Sequence, residues 1–118
     1  MEKRGAKYHR ERLGEALREE IETLVEGELG DPRIGLASVT AVELAEDAKS
    51  ARVMVAVEGS EEEALRSMEG LTAAAGFIRR QVGDRLKLRR APELFFQLDR
   101  SEKDQARVEE LLKRAKKR

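Results

Sequence analysis

A single α+β domain, three antiparallel strands backed on one face by helices, is predicted by three features of these 118 residues. Two stretches that alternate apolar and polar residues lie close together, long stretches on either side carry apolar residues three and four apart, and another alternating stretch follows Pro92. Alternation marks a half-buried strand, and spacing by three and four marks an amphipathic helix.

Leu13, Ala16, Leu17, Ile21, Leu24 and Val25 predict a first helix over Arg12 to Leu29, stopped by Gly30 and Asp31-Pro32. "IGLASVTAVEL" then places Leu36, Ser38, Thr40, Val42 and Leu44 on one face of a strand and Ala37, Val39 and Ala41 on the other. "ARVMVAVE" aligns Ala51, Val53, Val55 and Val57. The intervening "AEDAKS" is too short for a parallel crossover, so the two strands form an antiparallel hairpin. Ser60 with Glu63 makes a capping box, after which Leu65, Met68, Leu71, Ala75, Ile78 and Val82 continue at helical spacing. "ELFFQLD" predicts a third strand with Leu94, Phe96 and Leu98 facing one way. Ser101 with Asp104 is a second capping signal, opening a helix striped by Val108, Leu111, Leu112 and Ala115.

Composition narrows the chemistry. The chain is 40% hydrophobic and 41% charged, enough for one small core. No apolar run approaches the ~20 residues of a bilayer span, and no apolar segment follows the first charges as in a signal peptide, so a cytoplasmic protein without membrane contact is expected. With no Cys there is no disulfide framework, thiolate nucleophile or zinc-thiolate site. The lone His9 sits in a basic segment, and there is neither a phosphate-cradling glycine loop nor a metal-ligand spacing. No catalytic residue, cofactor or metal ligand is therefore assigned.

The net charge of zero conceals a strong segregation. Lys3, Arg4, Lys7, Arg10 and Arg12 crowd the N-terminus, Arg79, Arg80, Arg85, Lys87, Arg89 and Arg90 follow the apolar part of the second long helix, and "KRAKKR" ends the chain. Between them Glu19, Glu20, Glu22, Glu26, Glu28 and Asp31 occur without a cation, and Glu58 is followed by Glu61, Glu62 and Glu63. Clustered cations are the electrostatic footprint of a phosphate-binding surface, provided folding gathers them; a salt-bridge-laced surface has the same composition.

Gly76 interrupts the apolar stripe of the second long helix at a cost of about 1 kcal/mol relative to alanine. With Ala73, Ala74 and Ala75 before it, the segment permits either close packing of a neighbour or a bend that divides the helix in two. The bent alternative makes the element order α-β-β-α-α-β plus a terminal helix.

Three segments in this order carry a family resemblance over Lys7 to Leu112. They are "DPRIGLASVTAVELAEDAKSARVMVAV", "AAAGFIRRQVG" and "LKLRRAPELFFQLDRSEKD". The chain resembles the ribosome-binding factor A family of bacterial assembly factors. The resemblance implies a type II KH-like fold (α-β-β-α-kink-α-β, with an antiparallel or mixed sheet and a further C-terminal helix), with residues 1–100 as the RNA-binding domain and 101–118 as a C-terminal helix and basic tail. It places the family's Ala-x-Gly kink on Ala74, Ala75 and Gly76, where an ordinary KH domain has a Gly-x-x-Gly clamp. RNA contacts are then expected from Lys3, Arg4, Lys7, Tyr8, Arg10, Arg12, Arg33, Arg79, Arg80, Arg85, Lys87, Arg89 and Arg90. The implied partners are the immature small (30S) ribosomal subunit and its 16S rRNA, with release by a ribosome-associated GTPase and a monomer free in solution. With only Tyr8, Phe77, Phe95 and Phe96 as aromatics, backbone and shape recognition fit better than a stacking platform. The competing reading is a protein-interaction module that uses the acidic first helix or a sheet edge and touches no RNA.

Overall fold

The computed structural model describes residues 4–27 and 29–116, without the side chains of Arg4 and Ala6. Helix α1 spans Arg4–Gly27, strands β1 and β2 span Ala37–Leu44 and Ser50–Val57, helix α2 spans Glu61–Arg85, strand β3 spans Glu93–Leu98 and helix α3 spans Ser101–Lys116. The three strands form one sheet in the order β1-β2-β3. Helices α1 and α2 cover one face of it, α1 over β1 and α2 over β3.

One continuous core lies between these layers. Leu17, Ile21 and Leu24 of α1, Val53 and Val55 of β2, and Leu71, Ile78 and Val82 of α2 are all essentially inaccessible to solvent. Each such side chain contributes about 1.5–3 kcal/mol by leaving water. Ser67 is the buried polar side chain of α2, and it is satisfied: its hydroxyl accepts from the Gly35 amide at 3.0 Å and lies 3.4 Å from the Arg33 carbonyl.

Several expectations are revised. α1 starts two turns before Arg12, at Arg4. β3 pairs with β2 in parallel, Val53 opposite Phe96, so the sheet is the mixed one that the family resemblance allows and not the wholly antiparallel one that the strand pattern predicts. The reason is the connection: α2 carries the chain back across the core face before β3 begins, and such a crossover delivers a parallel neighbour. In β1 the expected face reverses midway. Val39 faces Val55 and Ala41 faces Met54, so Thr40 is an extra residue, a β-bulge that shifts every later side chain to the other face. Ala37 and Val39 before it, and Val42 and Leu44 after it, therefore all pack on the core.

α2 begins with the expected capping box: Ser60 accepts from the Glu63 amide, and the Glu63 side chain accepts from the Ser60 amide. It continues unbroken through Ala74, Ala75 and Gly76 to Arg85, so the division into two helices does not occur. The close approach that a glycine permits lies at Gly70 instead, where a Cβ would stand 2.7 Å from Ile34 Cγ1. At Gly76 an added Cβ would have only the tip of Arg80, 4.0 Å away. α3 also differs from expectation. The Ser101 amide is capped by Asp99 Oδ1 at 2.9 Å, in place of a Ser101–Asp104 box. No residue of α3 is buried, and its stripe of Val108, Leu111 and Leu112 is about half exposed. The radius of gyration, 16.8 Å, exceeds the ~13–14 Å of a compact chain of this length because α3 projects from the body.

Candidate nucleic-acid interface

The sheet has two ends, and the basic segments sort to one of them. β1 finishes, and β2 and β3 begin, at the hairpin end, where the Glu93 amide bonds the Lys49 carbonyl at 2.9 Å. α2 also ends there: Arg79 Nε bonds the Ala91 carbonyl at 2.9 Å, and Arg85 reaches Glu20 of α1 at 3.5 Å. Gly14 of α1 lies over the Val42 carbonyl, which carries the first turns of α1 toward the same end. Glu58, Glu61, Glu62 and Glu63 occupy the opposite end, after β2 and at the start of α2.

α2 closes with a Schellman arrangement. The Leu88 amide bonds the Gly83 carbonyl at 2.9 Å and the Lys87 amide bonds that of Asp84 at 3.3 Å, while Lys87 takes the left-handed conformation with φ 54°. Glycine normally fills that place, because a side chain there costs on the order of 1 kcal/mol. Lysine at this position directs a cation from a turn that would fold better without it.

The candidate residues divide into three groups. Arg80, Lys87, Arg89 and Arg90 are exposed around the end of α2, and no hydrogen bond or ion pair ties them down among the described residues. Arg79 and Arg85 share that neighbourhood but also hold the fold, through Ala91 and Glu20. On α1, Lys7, Tyr8 and Arg12 are exposed; Arg12 donates to the Tyr8 hydroxyl at 3.0 Å and its guanidinium stands 5.7 Å from the Tyr8 ring centroid. This contact makes a preassembled basic-aromatic pair of Tyr8 and Arg12. Arg10 is half-buried on the same helix. Lys3, the side chain of Arg4, and Lys117 and Arg118 of the tail lie outside the described residues.

Arg33 stands apart. It grips Asp31 through Nη2–Oδ2 at 2.8 Å, Nε–Oδ1 at 3.2 Å and its own amide at 2.9 Å, beside Glu63 and Arg66 in the first half of α2. The side-chain hydrogen bond from Arg33 holds the Asp31 carboxyl below its ordinary pKa, and the same bond raises that of Arg33. Its role is therefore to fix the Asp-Pro turn.

Two residues join the basic end that the sequence pattern missed. Lys49 comes from the hairpin loop, isolated among acids in sequence, and the bond from Glu93 places it there. Phe77 is 42% exposed beside Gly76 and Arg80, although it follows directly on the apolar stripe. No group of three His, Cys, Asp or Glu residues able to hold a metal occurs among the described residues. None of the described helices is long and apolar enough to cross a membrane.

These features define a two-layer α+β protein of KH-like type with a cluster of exposed cations around the end of α2. A family model for ribosome-binding factor A matches residues 9–112. The ribosome-binding factor A of Koribacter versatilis is 61% identical over 118 residues, which is 100% of this chain and 96% of that protein. The crystal structure of ribosome-binding factor A from Thermus thermophilus superposes with a TM-score of 0.67 at 27% identity, covering 78% of this chain and 98% of that one. A homology model of the Thermus thermophilus factor, fitted into a cryo-EM map of a 30S complex, superposes with a TM-score of 0.56 at 33% identity over 78% of this chain and 92% of that one. The chain belongs to the ribosome-binding factor A family.

Proposed function

We propose that this chain is a non-catalytic assembly factor of the small ribosomal subunit. It binds the immature 30S particle through phosphates of 16S rRNA and assists its late maturation and rRNA processing. The observation that carries this reading is the grouping of Arg80, Lys87, Arg89 and Arg90, exposed and unpaired, at the end where α2 finishes and the sheet begins. The fitted Thermus thermophilus relative supports the same partner. Arginine bridges two phosphate oxygens, and lysine supplies a point charge.

A factor without chemistry acts by population shift: it stabilises whichever rRNA conformer it binds better, by the difference in affinity. Arg79, Arg85, Lys7, Tyr8, Arg10 and Arg12 extend the surface on either side, Lys3 and Arg4 are secondary contributors, and Arg33, bound to Asp31 at the other end, has no part in it. Residues 1–100 form the RNA-binding unit, with 101–118 as its appendage. The factor acts as a cytoplasmic monomer, and a ribosome-associated GTPase ends its stay.

Co-sedimentation with purified immature 30S particles tests this reading. The native chain is expected in the 30S fraction at low salt, and a chain with Arg80, Lys87, Arg89 and Arg90 changed to Gln is expected at the top of the gradient with its thermal unfolding unchanged. Equal sedimentation of both chains would direct attention to the competing protein-interaction reading.

A further inference from the structure

The face of the sheet turned away from α1 and α2 carries an uncovered apolar row, bordered toward the hairpin by the Arg52–Glu43 ion pair. Leu36, which is 74% exposed, leads along it to Ala56, Met54 and Phe95, the last 54% exposed. Arg52 stands in register between Glu43 and Phe95, and a shallow cleft of about 520 Å³ opens beside these three. An exposed apolar surface of this kind marks a docking site. A second uncovered apolar surface is the Val108, Leu111 and Leu112 stripe of α3, a helix joined to β3 by only two residues, Asp99 and Arg100.

We infer that the outer face of the sheet is the seat of α3, and that α3 closes over it by turning about Asp99 and Arg100. Three independent matches identify the occupant. Length is the first. A helix folded back along β3 from Ser101 reaches Leu111 after about 15 Å and Arg114 after about 20 Å. The strand descends from Asp99 to Phe95 in about 13 Å and to Glu93 in about 20 Å. Leu111 thus arrives over Phe95, and the last turn arrives over the hairpin end.

Charge is the second match. The last turn of α3 carries Lys113, Arg114 and Lys116, and the hairpin end of the outer face carries Glu43 and Glu93 with Glu46 and Asp47 in the loop beside them. The third is how lightly the projecting pose is held. Its ties to the body are confined to the base of α3: Arg100 to Glu61, and Lys103 Nζ to the Gly59 carbonyl at 2.8 Å. Both are exposed contacts of the weakly stabilising kind. Closure covers the apolar face and neutralises the acids that border the basic end. It is therefore a property of the free molecule that adjusts the field presented there, and it does not depend on the partner proposed above.

Because the chain has no Cys, a spin label on Glu109→Cys is unique in the full chain. Paramagnetic broadening is read on the amides of Glu43, Arg52 and Phe95. Closure predicts that these signals broaden, and that they recover when Leu111 and Leu112, already exposed, are both changed to Asp. Broadening restricted to Asp99–Lys103, or appearing instead around Leu65 and Phe77 of α2, would overturn the inference. So would broadening of an isotopically labelled, unspin-labelled chain mixed with spin-labelled chain, because the occupant would then be a second copy.

Discussion

Gly76 and Lys87 each occupy a place that folding alone would fill otherwise. Gly76 lies on the solvent face of a continuous helix with room for a side chain, so Gly76→Ala is expected to stabilise the protein by up to about 1 kcal/mol, read from chemical denaturation. Lys87 holds a left-handed turn, and Lys87→Gly is expected to stabilise by about 1 kcal/mol while weakening 30S binding. Stability and binding moving in opposite directions is the signature of a residue kept for its side chain. Gly70 is the contrast. Its missing Cβ is what lets Ile34 rest on α2, and Gly70→Ala is expected to destabilise by about 1–3 kcal/mol in the same denaturation measurement. In the sequence the two glycines look alike, because which one meets a neighbour depends on where the segment after Pro32 packs.

Among the elements, those whose cause is local were legible and those whose cause is a distant partner were not. The capping box of α2 and the inward row of β2 needed only the residues themselves. The bulge at Thr40 needed β2 and the residue after β3: the Thr40 hydroxyl donates to Asp99 Oδ2 at 2.7 Å, across the strand between them. Asp99 also takes the Ser101 amide, and its carboxyl is held below the ordinary value, first by the Ser101 side chain and then by Thr40. A carboxyl with a lowered folded pKa contributes stability above its unfolded pKa and loses it as pH falls through the folded one. NMR titration is therefore expected to place the Asp99 midpoint below 3.8, with signs of loosening at the first turn of α3 on acidification. Thr40→Val is expected to move that midpoint upward. The parallel pairing of β3 and the projection of α3 were likewise hidden: an amphipathic stripe predicts a buried face without saying what buries it.

At the scale of the whole molecule, a chain of zero net charge gathers Arg80, Lys87, Arg89 and Arg90 around the end of α2, while Glu61, Glu62 and Glu63 lie at its start. The candidate site was legible as clustered cations, and the resemblance placed the family's kink among them. Which cations are available was not legible, since Arg79, Arg85 and Arg33 resemble Arg80 in sequence yet serve Ala91, Glu20 and Asp31. The most direct test of the basic end is the salt dependence of affinity for the 30S particle. Each phosphate neutralised contributes close to one unit to the slope of log affinity against log salt. The native chain is predicted to show a steep slope, and the chain with Arg80, Lys87, Arg89 and Arg90 changed to Gln a slope shallower by about three to four units. Equal slopes in the two chains would contradict the assignment of that end as the rRNA-binding surface.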